Sequence, residues 1–313
     1  NKCDVNILVL DGSDIPVPPN ILRRFSNVQY FHLPIPLPER LGFSLDKITS
    51  EYSMLTIDDE FFLPSALSKC IDILDNEPDV SCCTGVCEGF QLVGGKITGK
   101  KTYSRLFSLY GNSSRSVGER LRRHFEDYVP GHLYSVSRTQ SWKSCFSIYA
   151  RHKFPFFASM ELTCAVFFLA IGRWKVLPEL MWLRSINENP GIRGYIPSLN
   201  ENLRLPNLWF NSNFVSEKNN YLEVLAYEIE QHNKNSNVEK LKSEIDNALY
   251  IYCSKYTSPL RYLPFLSRKI AEGIESGGQK KIFSTYIKDN SKKYEYKFNP
   301  IELNSAISLI ERR

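Results

Sequence analysis

The chain has 313 residues, of which 42% are hydrophobic, 23% charged and 13% aromatic, with a formal net charge of +5. This is ordinary globular usage, and the lack of an arginine-rich tract or a nucleic-acid motif argues against a DNA or RNA partner. The longest apolar stretch, residues 154–171, contains Pro155 and Glu161 and is too short for a membrane span.

The first third of the chain alternates apolar runs with helical patterns. Residues 5–10 form a nearly continuous apolar run, which predicts a strand buried on both faces of a parallel sheet. A short helix over 20–25, a strand over 28–33 and a proline-rich loop follow, with Pro38 opening the next helix. Residues 53–57 predict a third strand, and the alternation predicts an α/β fold with a mostly parallel sheet.

The middle of the chain continues this pattern. Residues 64–76 predict a helix, because Leu67, Cys70, Ile71 and Leu74 recur at the spacing of one helical face. Residues 80–90 read as a strand, and the basic segment 94–116 as an exposed hairpin or mobile loop. We further predict helices over 117–128, 139–146 and 159–171 and strands over 133–137 and 175–177.

The composition changes from about residue 187, where Asn, Pro and Gly become frequent. Helical periodicity returns over 221–231 and 238–256. We therefore expect an α/β domain over 1–190 and a mainly helical extension over 191–313.

The cysteines give a weak indication of compartment. None of the eight forms a CxxC pair, and no matching His or Cys pair completes a zinc site. Most lie in apolar runs and are expected to be small buried side chains, which fits the cytoplasm. No signal peptide is visible, and because the chain starts at Asn1 without Met we expect further residues upstream.

Three adjacent carboxylates follow the third predicted strand. Asp58, Asp59 and Glu60 repel one another unless a cation neutralises them, and their oxygens suit Mn²⁺ or Mg²⁺. Such a cation could bridge to a diphosphate and act as a Lewis acid. The alternative is a solvated turn that caps the following helix.

This segment resembles a known family motif. An apolar strand followed by Asp58, Asp59, Glu60, two aromatic residues, Leu63 and Pro64 resembles the DXD-type motif of family 2 glycosyltransferases. It is most similar to bacterial and cyanobacterial proteins with an Asp-Asp-Asp-Phe motif, and the resemblance extends over residues 5–185. It implies a GT-A fold, which is Rossmann-like, and inverting sugar transfer from a nucleotide-diphosphate sugar to a hydroxyl in polysaccharide biosynthesis.

The resemblance also assigns roles to individual residues. It places Asp11, in the Asp-Gly-Ser sequence after the first strand, in the nucleotide pocket. It makes Asp59 a metal ligand and directs Asp58 toward the ribose or the metal. Glu60 stands where the family has a third Asp. Because the side chain of Glu is longer than that of Asp, its carboxylate would meet the metal at a different position. The family's first strand is expected upstream of Asn1, with some of the site residues.

Glu161 is the only carboxylate between residues 154 and 172. Partial desolvation on this apolar helix raises the pKa of a carboxyl group, which suits a general base. The resemblance places the catalytic base of inverting enzymes at the start of a helix in this region, and Glu161 holds that position. The alternative is a Glu in the first turn that complements the helix dipole, with Ser159 as the cap.

Basic and aromatic residues of the segment 120–138 and beyond complete the candidate site. An Arg side chain can pair with phosphate through two hydrogen bonds, and a Tyr side chain can stack on a ring or donate a hydrogen bond. The resemblance places Tyr134 and Arg138 near the acceptor side of the nucleotide-sugar cleft and makes Arg184 a diphosphate contact. For Arg120 and Arg122 we prefer a solvated helix face.

The sequence therefore predicts a metal-dependent glycosyltransferase. Its expected partners are a nucleotide-diphosphate sugar and a glycan or lipid-linked acceptor, with a peripheral contact to the inner membrane surface as one option for the C-terminal helices. Two alternatives stay open: a nucleotidyltransferase, which also uses metal-binding carboxylates on an α/β sheet, and a non-catalytic sugar-binding protein on a GT-A fold.

Overall fold

The computed structural model describes residues 5–100, 102–103, 114–152, 154, 156, 158–186, 205–232, 237–257 and 282–312. It is a mixed α/β structure. The first unit is a two-stranded parallel sheet, in which β1 (Ile7–Asp11) pairs with β2 (Val28–His32). A single helical turn, α1 (Pro19–Leu22), lies between them, and α2 (Leu37–Ser44) packs against β1.

The prediction that the first strand is buried on both faces is wrong. Every residue of β1 and β2 is at least partly exposed, although both strands are largely apolar. Within the described residues, β1 pairs with β2 alone and α2 is the helix packed against it, so neither face of the pair is fully covered.

The main sheet has six strands and is mixed. Its order is β3 (Tyr52–Ser53), β7 (Val136–Arg138), β5 (Val80–Val93), β8 (Arg173–Ser185) and β4 (Glu60–Phe62), with β6 (Lys96–Lys100) paired to β5. The β5–β8 pair is parallel, whereas the other described pairs of this sheet are antiparallel. The predicted mostly parallel sheet is therefore wrong.

One cause of the antiparallel pairing is local. Gly94 and Gly95 have φ values of +57° and +74°, a conformation that favours glycine and closes the hairpin between β5 and β6. The predicted hairpin at the start of residues 94–116 is thus confirmed, and residues 104–113 of that segment lie outside the described ones.

The acidic cluster lies between two short strands. The third predicted strand is only two residues long, because residues 54–57 do not pair. Asp58 and Asp59 form a turn, and Glu60 is the first residue of β4. The position of the Glu60 side chain is consequently fixed by the sheet. Asp58 and Asp59 lie in the turn, so the sheet does not fix theirs.

The predicted helices of the α/β core are present, and α5 is longer than expected. They pack on both sides of the main sheet. The segment 133–137 is a 3-10 turn, Pro130–Tyr134, followed by the short strand β7. The core helices are α3 (Pro64–Asn76), α4 (Val117–Glu126), α5 (Thr139–His152) and α6 (Ser159–Ile171).

The C-terminal helices share two hydrophobic cores with the sheet. Helices α7 to α9 join the large core around α4, α5 and α6, and α10 and α11 cover the end of the sheet formed by β4, β5 and β8. The expected boundary near residue 190 lies outside the described residues. Their bounds are α7 (Leu205–Phe210), α8 (Val215–His232), α9 (Val238–Thr257), α10 (Phe283–Lys293) and α11 (Pro300–Ile310).

Two further sequence predictions can be compared with this fold. The seven described cysteines are free and buried, as expected for small apolar side chains. Among the described residues, no helix combines the length and apolarity that crossing a membrane requires.

Candidate functional site

The acidic turn presents its three carboxyl groups in different environments. Asp58 is exposed, Asp59 is half-buried, and the side chain of Glu60 is only 1% exposed. Glu60 pairs with Arg184 across β4 and β8, and its Oε1 lies 3.7 Å from Arg184 Nε. Its Oε2 is buried without a hydrogen-bond partner among the described residues.

The carboxyl group of Glu60 is held in a state unusual for glutamate. Burial raises the pKa of Glu60 to about 8, and the nearby charge of Asp59 adds to the increase. Arg184 and the indole of Trp182 act in the opposite direction. A carboxyl group with this pKa is mainly protonated at pH 7.

An aromatic surface surrounds Arg184. Its Cζ lies 4.9 Å from the ring centre of Tyr103 and 5.6 Å from that of Trp182, and its guanidinium donates a hydrogen bond to the Tyr103 hydroxyl. The Trp182 ring stacks on Phe62 at 6.1 Å and contacts Tyr134 at 4.4 Å. Arg184 is thus oriented from both sides, with 28% of its side chain still exposed.

Tyr134 connects the acidic turn to the helix α6. Burial raises the pKa of its hydroxyl, and the charges of Glu60, Glu161 and Asp59 raise it further. Carboxyl groups from two segments that are distant in sequence, the acidic turn and the start of α6, therefore act on one tyrosine. Tyr134 itself is 5% exposed, so its ring offers little surface for stacking on a sugar.

Glu161 faces Tyr128 from the first turn of α6. Tyr128 Oη donates a hydrogen bond to Glu161 Oε1 at 2.5 Å. Burial raises the pKa of Glu161, while this hydrogen bond lowers it. Of the alternative interpretation, the capping role of Ser159 is wrong, because Ala158 occupies the N-cap position and the Ser159 hydroxyl bonds to the Phe154 carbonyl. Glu161 does lie in the first turn of α6, where a carboxylate complements the helix dipole.

Asp11 belongs to a separate, well-ordered turn. It accepts hydrogen bonds from the backbone and hydroxyl of Ser13 and from the Tyr30 hydroxyl. Partial burial raises the pKa of Asp11, but these hydrogen bonds outweigh it and bring the value to about 2. The described contacts of Asp11 stay within the β1–β2 unit, so they do not join it to Asp59 or Glu161.

Arg138 and Arg120 are used inside the fold. The guanidinium of Arg138 donates to the carbonyls of Leu74 and Val80, away from the residues around Tyr134. The prediction of a solvated Arg120 is wrong: this residue is buried and donates to four carbonyls, those of Leu169, Ala170, Ser114 and Arg115. Arg122 is on the exposed face, paired with two glutamates, as predicted.

Several residues of this region have no sequence signal. Sheet pairing brings Trp182 to the site, and the packing of α4 against α6 brings Tyr128. Tyr103 reaches it from the irregular segment that follows β6. The histidines that are scattered in sequence include a buried pair, His124 and His132, whose rings lie 4.5 Å apart. The helical spacing of His124 from Leu121 and Phe125 places it on the buried face, which is the one available clue.

A divalent cation at the acidic turn would need oxygens beyond those of its carboxylates. In the described parts of the chain, no group of three or more His, Cys, Asp or Glu side chains could hold a metal ion by itself. Mg²⁺ commonly uses one or two carboxylates plus phosphates and waters instead. Asp58 and Asp59, at a partly open turn, meet that requirement. Glu60 fits less well, because its carboxyl faces Arg184 and is mainly neutral.

A scan against protein-family models and a search of curated proteins returned no match for this chain.

Proposed function

We propose that this chain is a metal-dependent glycosyltransferase of GT-A type that moves a sugar from a nucleotide-diphosphate sugar to an acceptor hydroxyl, with inversion. The observation that carries the proposal is the environment of Tyr134, which lies within electrostatic range of Asp59, Glu60 and Glu161. A pair of metal-binding carboxylates and a separate, partly desolvated carboxylate in one site are the two elements that such a transfer requires.

Asp59, with Asp58, would hold Mn²⁺ or Mg²⁺ together with the donor diphosphate. When bound, the cation offsets the negative charge that develops on the departing diphosphate. Arg184 is the second positive group available to the phosphates, since part of its guanidinium side chain remains exposed. We assign Glu60 to orienting Arg184 rather than to binding the metal.

Glu161 is the proposed base. Its carboxylate removes the proton of the acceptor hydroxyl as that oxygen attacks the anomeric carbon. Burial raises the pKa of Glu161, which suits a general base acting near neutral pH, and the Tyr128 hydrogen bond acts in the opposite direction. Asp11 contributes to the nucleoside side in this proposal, through its ordered turn.

The acceptor remains a glycan or a lipid-linked sugar in this proposal, and the expected location is the cytoplasm or its membrane surface. The modest positive charge of +5 is compatible with anionic donors.

The test begins with unfolding temperatures, measured for a series of nucleotide-sugars with and without Mn²⁺. A ligand that binds the folded state at 100 times its Kd adds about 2.7 kcal/mol of stability. We expect one donor to stabilise the protein in the presence of Mn²⁺ only, and Asp59→Ala to remove that effect while the unliganded variant unfolds at the wild-type temperature. Stabilisation by no donor would favour a non-catalytic protein.

Product analysis then separates the two enzymatic functions. Glycosyl transfer releases a free nucleoside diphosphate, and Asp59→Ala and Glu161→Gln should each abolish that release. Release of pyrophosphate from a nucleoside triphosphate and a sugar phosphate would identify a nucleotidyltransferase instead.

A further inference from the structure

Tyr128 makes the one described hydrogen bond to the carboxyl group of Glu161. Its Oη donates to Oε1 at 2.5 Å, and the described residues provide no donor to Oε2. One carboxylate oxygen is therefore occupied, whereas the other has no donor among the described residues, and Glu161 as a whole is only partly buried. Tyr128 follows α4 in the chain, so this contact depends on the packing of α4 against α6.

The ring of Tyr128 is clamped by three others. It stacks on Phe125 with a centroid distance of 5.4 Å and an interplanar angle of 4°, and it meets Tyr252 at 5.0 Å and His124 at 5.2 Å, both edge to face. Tyr252 belongs to α9. The C-terminal helices thus contribute to fixing the hydroxyl that contacts Glu161.

We propose that Tyr128 is a positioning residue, which holds Glu161 in its ionised form and leaves Oε2 to take the proton of an acceptor hydroxyl. This inference rests on the proposed glycosyl transfer, and it adds to the base Glu161 a second residue that positions it. A tyrosine hydroxyl suits this role because it donates one hydrogen bond and, near neutral pH, stays neutral itself.

The other titratable groups around α6 do not replace this donor. Burial raises the pKa of the hydroxyls that face the helix and lowers the pKa of His124 to about 3, so these groups are neutral near pH 7. Arg120 binds the carbonyls of Leu169 and Ala170 at the opposite end of α6. The neutral groups on the surrounding elements are Tyr134, Tyr221, Cys145 and His132, and the charges of Asp59 and Glu60 act on Tyr134 from the acidic turn.

The experiment compares the wild type with Tyr128→Phe, which keeps the clamped ring and removes the hydroxyl. The first readout is the titration of Glu161, which is monitored through the infrared band of its protonated carboxyl group. The band is assigned to Glu161 by its absence from Glu161→Gln. The inference predicts a midpoint at least about one pH unit higher in Tyr128→Phe. An unchanged midpoint overturns it, whether or not a donor sugar has been identified.

The second readout is the pH dependence of transfer. On the acidic limb, at pH values below the pKa of the base in both proteins, kcat/KM of Tyr128→Phe should be about tenfold lower than that of the wild type. At high pH it should recover toward the wild-type value. The KM of the donor should be unchanged. A uniform loss at all pH values overturns the positioning role, because it would indicate structural damage. Tyr149→Phe, which removes another buried hydroxyl from the same core, is the matched control and should leave the limb in place.

The two proposals fail in different ways. A wild-type protein without transferase activity on any donor refutes the proposed function. An active wild type whose acidic limb does not move in Tyr128→Phe refutes the role of Tyr128 alone.

Discussion

Replacing Glu60 by Gln should stabilise the metal-free protein, and more so as the pH rises. Burial brings the pKa of Glu60 from 4.5 to about 8. The unfolded chain ionises this group near its ordinary value, whereas the folded chain keeps it protonated, so stability falls between these two pH values and is constant above them. At about 1.36 kcal/mol per pH unit, the full loss is about 4 to 5 kcal/mol. Glutamine has nearly the same shape and no proton to lose.

The assay is urea unfolding of both proteins at pH 4.5, 6 and 9 in the presence of EDTA. The difference in free energy of unfolding should be close to zero at the lowest pH, about 2 kcal/mol at pH 6 and at its maximum at pH 9. Asp72→Asn, at an exposed position of α3, is the control and should show no comparable trend. A difference that does not change with pH would refute the argument that Glu60 is held protonated beside Arg184.

Three further predictions concern the fold around the site. Asp11→Asn should cost about 1 kcal/mol at pH 7, after allowing for solvent screening, and this difference should disappear as the pH falls from about 4 to 2, because the native hydrogen bonds hold the pKa of Asp11 at about 2; acid titration of stability checks it. Arg120→Ala should destabilise the protein by about 3 kcal/mol, since it leaves buried carbonyls unsatisfied, whereas Arg122→Ala on the exposed face of the same helix should leave stability close to that of the wild type; equal losses in urea unfolding would contradict this. Tyr296→Phe should cost about 1 to 2 kcal/mol, because it removes the hydroxyl that donates to buried Glu88 at 2.9 Å; wild-type stability in thermal unfolding would show that the bond contributes little.

Helices were predictable from the sequence because their signals are local. The α6 helix has the predicted bounds, since Gly172 ends it and its apolar run is uninterrupted except for Glu161. The buried face of α3 includes Leu67, Cys70 and Leu74, as the spacing predicts, and Pro64 opens the helix.

Strand pairing was not predictable in the same way, because it depends on distant segments. From the sequence, Glu60 reads as the end of the acidic cluster and Phe61 and Phe62 as the aromatic residues that follow it. Only their pairing with β8 makes these three residues a strand. That pairing is what buries Glu60 beside Arg184. No local sequence pattern indicates that β8 pairs with β4 on one side and with β5 on the other.

The candidate site could be predicted only in part, again because contacts between distant segments have no local signal. Carboxylates in unusual sequence contexts, such as Asp59 and Glu161, can be found in a single sequence. Their partners are supplied by tertiary packing: Tyr128 reaches Glu161 through the contact of α4 with α6, and Arg120 finds its carbonyls at the end of α6. Charge alone favoured a solvated Arg120, because no acidic residue marks its buried position.

The most direct test of the proposed function is calorimetric titration of nucleoside diphosphates into the metal-loaded protein. The proposal predicts that one nucleoside diphosphate binds in the presence of Mn²⁺, that EDTA removes this binding, and that Asp59→Ala weakens it at least about tenfold, while Asp72→Asn binds like the wild type. Equal affinity of the Asp59→Ala variant and the wild type would contradict the account.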